Sequence, residues 1–144
     1  MVTSLLIAAI LAAMPPIQQT GLETSWPALA PEDLSMTDNP AKLSSSAMIL
    51  LKKESRDDGR RIWATFYRIK IFNDAGRTFG DIEIPYAPNA ADIEGIAARV
   101  VQSDGQVLEF RGPVYEKTLA RRGKYRMMAK TFTLPTVGPG SIID

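Results

Sequence analysis

Apolar and polar residues alternate most regularly between Arg61 and Tyr86, and this stretch predicts two β-strands joined by a turn. From Ile62 to Phe72 one set of alternate positions is almost entirely apolar or aromatic: Trp63, Thr65, Tyr67, Ile69 and Ile71. The intervening set becomes cationic at Arg68 and Lys70. Because successive side chains of a strand point to opposite faces, we predict the first set in the core and the second in solvent.

A glycine-containing turn and a second strand complete this stretch. Asn73–Arg77 predicts the turn, since Gly76 can adopt a positive φ. In Asp81–Tyr86 isoleucines alternate with acidic residues, which predicts a strand with one solvated face. Pro85 lacks an N–H group and therefore places the end of this strand at a sheet edge or outside the ladder.

Shorter patterns predict a β-rich body over residues 47–144. Asp104-Gly105, between two β-prone segments, predicts a tight hairpin. Further strands are predicted over residues 47–51, 93–101, 107–110 and 127–134, with another beginning near 141. The fold class is therefore all-β, and the strands connected by short turns are expected to be antiparallel.

The chain begins with an apolar run, Leu5–Met14, that Pro15-Pro16 ends. As a helix the run would span about 15 Å, roughly half of a bilayer's hydrocarbon core. It suits a secretory signal, so we predict a signal peptide over residues 1–20 and a periplasmic or secreted protein. The preceding residues contain no Lys or Arg, and the alternative is a buried N-terminal helix of a cytosolic domain.

A segment rich in proline, serine and small residues, 21–46, separates the apolar run from the β-rich body. We call it the lead-in. Pro31–Met36 predicts one short helical turn with two acids at its N-terminal end. We expect Trp26, Leu34 and Met36 to lie against the domain. Trp26 is interpreted as a packing anchor, with ligand stacking as the alternative.

Composition excludes several classes of chemistry. The chain of 144 residues has no Cys and no His. It therefore lacks disulfides, thiolate nucleophiles, and the imidazole of Ser-His-Asp or Cys-His catalysis. The net charge of +1 gives no argument for a nucleic-acid partner. In the basic stretch from Tyr115 to Arg126, Arg121–Lys124 is interpreted as an exposed, solvated loop between strands, with a nucleic-acid contact as the alternative.

Carboxylate chemistry is the remaining enzymatic possibility. Glu83, Glu94 and Glu109 are the acids available to a stand-alone glycan-active enzyme, but they have no evident paired partner. Asp74, Asp81 and Glu83 could be grouped as calcium ligands, although the spacing of an EF-hand is absent. We predict no catalytic, cofactor-binding or metal-binding residues.

Several ordered segments resemble a bacterial domain family of unknown function that stands N-terminal to transglutaminase-like domains in exported proteins. The similar segments are Trp26-Pro27, Pro31–Met36, Tyr67–Phe72 with Gly76-Arg77, Asp81–Tyr86, Ile93–Arg99, Asp104–Val107, Lys130–Pro135 and Gly140–Ile143. No single segment is diagnostic, but their order and spacing extend over nearly everything after Trp26.

The resemblance implies an antiparallel β-sandwich-like domain in the periplasm or outside the cell. Relatives continue past the Gly-Ser-Ile-Ile segment, so the chain is expected to be an incomplete sandwich from a truncated or split gene product. No counterpart of the Cys, His and Asp of transglutaminase-like catalysis is present.

The expected function is a non-catalytic exported module. It would accompany a transglutaminase-like or peptidase-like domain and contact a protein, a peptide or an envelope glycan, without nucleic acid and without a stable membrane span. The alternatives are the carboxylate enzyme above and a non-functional gene fragment with an unpaired sheet edge that favours association.

Overall fold

The computed structural model describes residues 26–144, so the predicted signal peptide and residues 21–25 of the lead-in lie outside the described residues. The elements in chain order are helix α1 (Pro31–Ser35), strands β1 (Ala47–Asp57) and β2 (Ile62–Ile71), a 3₁₀ helix (Asp74–Gly80), and strands β3 (Asp81–Tyr86), β4 (Arg99–Val101), β5 (Val107–Glu109), β6 (Tyr115–Arg122), β7 (Tyr125–Thr133) and β8 (Ile142–Ile143).

The strands form two antiparallel sheets, which confirms the predicted fold class. The five-stranded sheet has the order β1-β2-β8-β4-β5, and the three-stranded sheet has the order β3-β7-β6. Strand β8 lies between β2 and β4 although it follows every other strand of the sheet in the chain. Ile143 is paired with Ile69 on one side and with Val100 on the other.

The hydrophobic core lies between the two sheets. Its buried residues are Ile71, Ala98, Val100, Phe132, Leu134, Val137 and Ile143. Phe110 stacks on Phe132, with ring centroids 4.7 Å apart, and joins the end of β5 to β7. Gly76 allows the 3₁₀ helix to approach β1, since an added Cβ would lie 2.4 Å from the Ser46 carbonyl oxygen.

The β1–β2 hairpin extends beyond this core. Its strands pair from Ala47 with Ile71 to Asp57 with Ile62, with a register shift between Ile49 and Leu51. In the part nearest the core most residues are buried or half-buried, whereas residues 52–65 are all exposed. The second sheet does not cover the far part of the hairpin, and its side chains therefore remain in solvent.

The predicted faces of β2 are partly wrong. Ile69 and Ile71 pack in or against the core as expected. Trp63, Thr65 and Tyr67, from the same set, are exposed because the strand extends past the opposing sheet. Arg68 and Lys70, predicted in solvent, are 2% and 0% exposed. The lead-in covers their face and provides backbone carbonyls that accept their hydrogen bonds.

Two other predictions need correction. The strand predicted over residues 93–101 is confined to Arg99–Val101, since Gly95 has a φ of +65° that interrupts extended backbone. The turn predicted at Asn73–Arg77 is part of the longer 3₁₀ helix Asp74–Gly80, in which the Asn73 side chain accepts a hydrogen bond from the Ala75 N–H.

The predicted hairpin at Asp104-Gly105 is confirmed, as β4 pairs with β5 across it and Gly105 has a φ of +87°. The loop predicted at Arg121–Lys124 is a shorter turn, Gly123-Lys124, between β6 and β7, and residues 115–126 are exposed as expected. Within residues 26–144, no helix is long and apolar enough to cross a membrane.

Candidate functional site

Charged side chains converge on the outer face of the five-stranded sheet, beneath the lead-in. We call this group the buried ionic cluster: Asp33, Arg68, Lys70, Arg99 and Asp144. Strand alternation places it there, since Ile69 and Ile71 occupy the core side of β2 and their neighbours point the other way. The lead-in then removes this outer face from water.

Arg68 is the centre of the cluster. Its Nε and Nη2 donate to the two carboxylate oxygens of Asp144, at 2.7 and 3.0 Å. Its Nη1 and Nη2 also donate to the carbonyl oxygens of Ala28 and Pro27, at 2.8 and 2.7 Å. The rigid guanidinium fork therefore binds a carboxylate and the backbone of the lead-in together.

Asp144 joins two arginines on neighbouring strands. Its side chain has no exposed area, and its Oδ2 also accepts hydrogen bonds from Nη2 and Nε of Arg99, at 2.6 and 2.9 Å. The backbones of Asp144 and Arg99 exchange two hydrogen bonds of 3.0 Å. The chain segment of β8 is consequently fixed through both its backbone and this carboxylate.

Lys70 binds two carbonyl groups. Its Nζ donates to the oxygens of Leu34 and Gly140, both at 2.8 Å. One acceptor belongs to helix α1 and the other to the turn before β8. The ammonium group thus links the lead-in to the turn through backbone atoms. The side-chain pattern of the sequence does not predict such a contact.

Trp26 covers the edge of the cluster. Its ring packs edge-on against Phe66, with centroids 6.4 Å apart, and the Arg99 guanidinium lies 4.6 Å from its centroid. Trp26, Leu34 and Met36 are all half-buried, as expected of a lead-in that lies on the domain. The contacts of Trp26 fit the packing interpretation.

Burial and ion pairing act differently on the two cations of β2. The hydrogen bond to Asp144 raises the pKa of Arg68 above its usual value, although burial acts in the opposite direction. Burial lowers the pKa of Lys70, and the charge of Asp33 offsets this lowering in part. Arg68 is therefore a permanent charge, while the charged form of Lys70 is disfavoured by loss of water.

The contacts of the buried ionic cluster fit a role in stabilising the fold better than a catalytic role. In the described part of the chain, no buried side-chain nitrogen or oxygen lacks a hydrogen-bond partner. Arg68 and Asp144 are held by several bonds each, and the lead-in covers them. What the arrangement does is attach the lead-in and β8 to β2.

A second polar group lies at the junction of β3, β6 and β7. The Tyr86 hydroxyl donates to Glu116 at 2.8 Å, and Lys130 Nζ lies 2.5 Å from the same carboxylate oxygen. Hydrogen bonds from Lys130 and Tyr86 lower the pKa of Glu116, and the bond to Glu116 raises the pKa of Tyr86. A tyrosine that retains its proton more strongly is a poor general base.

The candidate glycan-hydrolysing acids lie on separate elements. Glu83 is on β3 and forms an ion pair with Lys117, and Glu109 ends β5, where Arg111 donates to it at 3.2 Å. Glu94 is exposed in the irregular segment before β4. Two of the three carboxylates are therefore engaged by cations on the protein surface.

The calcium alternative gains no support. Asp74 pairs with Arg77 at 2.8 Å, and Asp81 accepts a hydrogen bond from the Thr133 hydroxyl at 2.8 Å. Asp81 and Glu83 are on the solvated face of β3, as predicted. Residues 26–144 contain no group of three acidic, histidine or cysteine side chains arranged to hold a metal ion.

Sequence reasoning missed the buried ionic cluster although one signal was present. Phe66 shares a strand face with Arg68 and Lys70, and the lead-in has apolar residues that need a surface to cover. These two facts together indicate that the outer face of β2 is covered. The pairing with Asp144 has no local signal, because 76 positions separate it from Arg68.

Residues 57–144, more than half of the chain, match the family described as "Domain of Unknown Function with solved-structure structure (DUF3857)". The match begins at the end of β1, so the lead-in lies outside it. Neither the curated proteins nor the solved structures contain a match to the chain. On the strength of the family match, the chain belongs to the DUF3857 family.

Proposed function

We propose that the chain is a non-catalytic binding module that accompanies a transglutaminase-like or peptidase-like domain and contacts a protein, a peptide or an envelope ligand. The observation that carries this proposal is the internal use of the buried ionic cluster. Its arginines and its carboxylate bind one another and the backbone, so they stabilise the fold and leave the outer surfaces for partners. The absence of His and Cys also favours a binding role.

The proposed location is the periplasm or the cell exterior. The apolar run Leu5–Met14 supports it, and so does the resemblance to exported proteins that carry transglutaminase-like domains. Export is tested by fusing residues 1–30 to a reporter enzyme that is active only outside the cytoplasm. Activity that disappears in an Ile7→Arg control, whose apolar run is interrupted, is expected. Equal activity of the two fusions would contradict a signal function.

The binding role is tested by two measurements on the purified chain. We expect no hydrolysis of a glutamine-containing peptide and no incorporation of a primary amine into it. Titration with a separately purified transglutaminase-like domain should give saturable heat in calorimetry. Turnover by the chain alone would overturn the non-catalytic assignment, and a flat titration would remove this class of partner.

A further inference from the structure

Positive charge is concentrated in the hairpin that β6 and β7 form. The segment from Lys117 to Lys130 contains six of the 17 cationic residues of the chain and none of its 16 acids. Its charge is therefore +6, and the remaining residues together carry −5. The overall charge of +1 combines two unlike regions, so it does not describe the surface that this hairpin presents.

The cations at the base of the hairpin have acidic partners. Lys117 forms an ion pair with Glu83 on β3. Lys130 Nζ lies 2.5 Å from Oε1 of Glu116, on the neighbouring strand β6. The charge of each lysine is therefore balanced by a nearby carboxylate of the same sheet.

The cations at the end of the hairpin have no such partners. Within residues 26–144, no acidic side chain forms an ion pair with any of the following four: Arg121, Arg122, Lys124 and Arg126. We call residues 121–126 the cationic tip. All six of its residues are exposed, so its positive charge is available to a ligand in solution or on a surface.

Two arginines of the cationic tip face each other across the hairpin. Arg121 is the direct cross-strand partner of Arg126. Side chains in such a position begin about 4.5–5.5 Å apart at Cβ, and like charges directly opposite each other destabilise a sheet. The repulsion is relieved when anions lie beside both guanidinium groups. This pair therefore indicates a ligand with several closely spaced negative charges.

Cations lie on both faces of the hairpin and at its end. Because successive side chains of a strand point to opposite faces, Arg121 and Arg122 lie on different faces, as do Tyr125 and Arg126. Lys124 is in the turn between the two strands. A flat acidic protein surface or a nucleic-acid groove would meet one face of this ribbon and leave the other face in solvent. A layer of anions that surrounds the tip would meet every cation.

The dimensions of the cationic tip match a layer of lipid headgroups. Its two cross-strand pairs and the turn extend about 7 Å along the strands. The headgroup region of one leaflet is about 5–7 Å thick, which is half the difference between a whole bilayer and its hydrocarbon core. Tyr125 is 69% exposed within the tip, and tyrosine is a residue type enriched at this depth. Size and composition therefore both favour a membrane surface over the other anionic partners.

We propose that the cationic tip binds the headgroup layer of an anionic phospholipid membrane. The guanidinium groups bind phosphate oxygens, which their planar fork suits, and Lys124 adds a point charge. The ring of Tyr125 lies at the level of the headgroups. The contact is peripheral and uses no membrane-spanning segment. The inference rests on the proposed binding role and specifies an envelope lipid as the ligand.

Co-sedimentation of the full chain with vesicles is the first test. Vesicles of equal parts phosphatidylglycerol and phosphatidylcholine are compared with vesicles of phosphatidylcholine alone. We expect stronger binding to the anionic vesicles, and this binding should weaken as salt is added because exposed charges are screened. The apolar run Leu5–Met14 is present in every sample, so it does not account for a difference between the vesicles. Equal binding to both kinds would overturn the proposal.

Two matched double variants assign the binding to the cationic tip. Arg121→Gln with Arg126→Gln removes the facing pair, and Arg56→Gln with Arg60→Gln removes two exposed arginines at the end of the β1–β2 hairpin. Both lower the net charge equally. At about fivefold per cation near an anionic surface, we expect binding about 25-fold weaker for the first and less than about threefold weaker for the second. Equal weakening would overturn the proposal.

Urea denaturation shows that the loss of binding is not a loss of folding. The double variant at Arg121 and Arg126 should be at least as stable as the parent chain, because a pair of like charges is removed. Lower stability would show that the two arginines stabilise the hairpin internally, which would overturn their assignment to a ligand.

A fluorescent label then shows which hairpin meets the membrane. The chain has no Cys, so Ala120→Cys and Asp58→Cys each create a single labelling site near the end of one hairpin. An environment-sensitive dye at position 120 should change its emission when anionic vesicles are added, whereas the same dye at position 58 should not. Equal responses, or a response at position 58 alone, would contradict contact through the cationic tip.

Competition identifies the source of the negative charge. Soluble glycerophosphoglycerol, a double-stranded oligonucleotide and polyglutamate are each added to vesicle-bound chain at the charge concentration of the accessible lipid. We expect each to displace less than half of the bound chain. Displacement by one of them would assign the tip to a free phosphate diester, a nucleic acid or an acidic protein, and would overturn the proposal. None of these measurements involves export or a transglutaminase-like domain, so they succeed or fail independently of that part of the proposed function.

Discussion

The two halves of strand β2 share one backbone and one alternating pattern, but their environments are opposite. From Arg68 to Ile71 the strand is covered on both faces, by the core and by the lead-in, and it has a neighbour at both edges. From Ile62 to Tyr67 it pairs with β1, and most of its residues are exposed. The half from Arg68 to Ile71 contains the two cations of the strand, and the half from Ile62 to Tyr67 contains its three aromatic residues.

The difference teaches that coverage by neighbouring elements, rather than side-chain polarity, decides what is buried in this sheet. Arg68 is buried because carbonyls and a carboxylate surround it, whereas Trp63 is exposed because, within residues 26–144, no second sheet faces it. Four measurements compare the halves or the elements that cover them.

The largest effect is expected from Arg68→Met. This change leaves the buried Asp144 carboxylate with one arginine and leaves the carbonyls of Pro27 and Ala28 without their donor. We expect the free energy of unfolding, measured by urea denaturation, to fall by about 3–5 kcal/mol. Arg56→Met on β1, paired with the exposed half of β2, is the control, with a loss below about 1 kcal/mol. Similar losses for the two variants would remove the distinction between the halves.

A core substitution compares the apolar members of the same strand. Ile71→Ala should lower the free energy of unfolding by about 2–5 kcal/mol, because Ile71 is fully buried between the sheets. Trp63→Ala removes a larger side chain but should change stability by about 0.5 kcal/mol or less. Thermal and urea unfolding measure both. A larger loss for Trp63→Ala would mean that the far half is covered in solution.

The attachment of the lead-in is tested at Trp26. Trp26→Leu retains an apolar side chain but loses the contact with the Arg99 guanidinium and the edge-on contact with Phe66. We expect a loss of about 1–2 kcal/mol in urea denaturation. Exchange of the Met36 amide, which bonds to Glu32 in helix α1, should accelerate in this variant. Unchanged stability and exchange would show that the lead-in is held without Trp26.

The smallest effect concerns the alkaline pH dependence of stability. Because the pKa of Lys70 is lowered in the folded chain, the unfolded chain binds more protons in the window between that folded pKa and the ordinary value of 10.5. In this window Lys70 therefore makes stability rise with pH. Tyr86 and Lys130 have raised pKa values and act in the opposite direction.

Lys70→Met isolates this contribution, since Tyr86 and Lys130 are unchanged in the variant. Urea unfolding is measured for both proteins from pH 8 to 10.5. The stability of the parent chain relative to the variant should increase as pH rises. A difference that is constant or that decreases with pH would contradict the effect of burial on Lys70.

Much of the fold follows from local patterns in the sequence. Asp81–Tyr86 and the Asp104-Gly105 hairpin are as predicted, because a period of two and a positive-φ glycine determine them locally. The short helix at Pro31–Ser35 was also expected from its proline and acidic residues. These features depend on neighbours in the chain rather than on distant contacts.

The candidate site could not be derived in this way. Lys70 binds backbone carbonyls of Leu34 and Gly140, and any residue type can supply such an acceptor. Asp144 has no local feature that identifies Arg68 and Arg99 as its partners. Charged residues at alternate positions of a strand predict a solvent-exposed face only if no other segment of the chain covers that face.

The position of β8 also has a consequence for the order of folding. β1–β2 and β4–β5 are local hairpins that form from nearby residues, and within residues 26–144 the sheet joins them through β8. Closing that contact brings Arg68 next to Asp144 across 76 positions, and loop closure of this length slows folding. During synthesis the β1–β2 and β4–β5 hairpins can therefore form one sheet only after β8 has left the ribosome. Substitutions at Asp144 should slow folding more than substitutions within either turn.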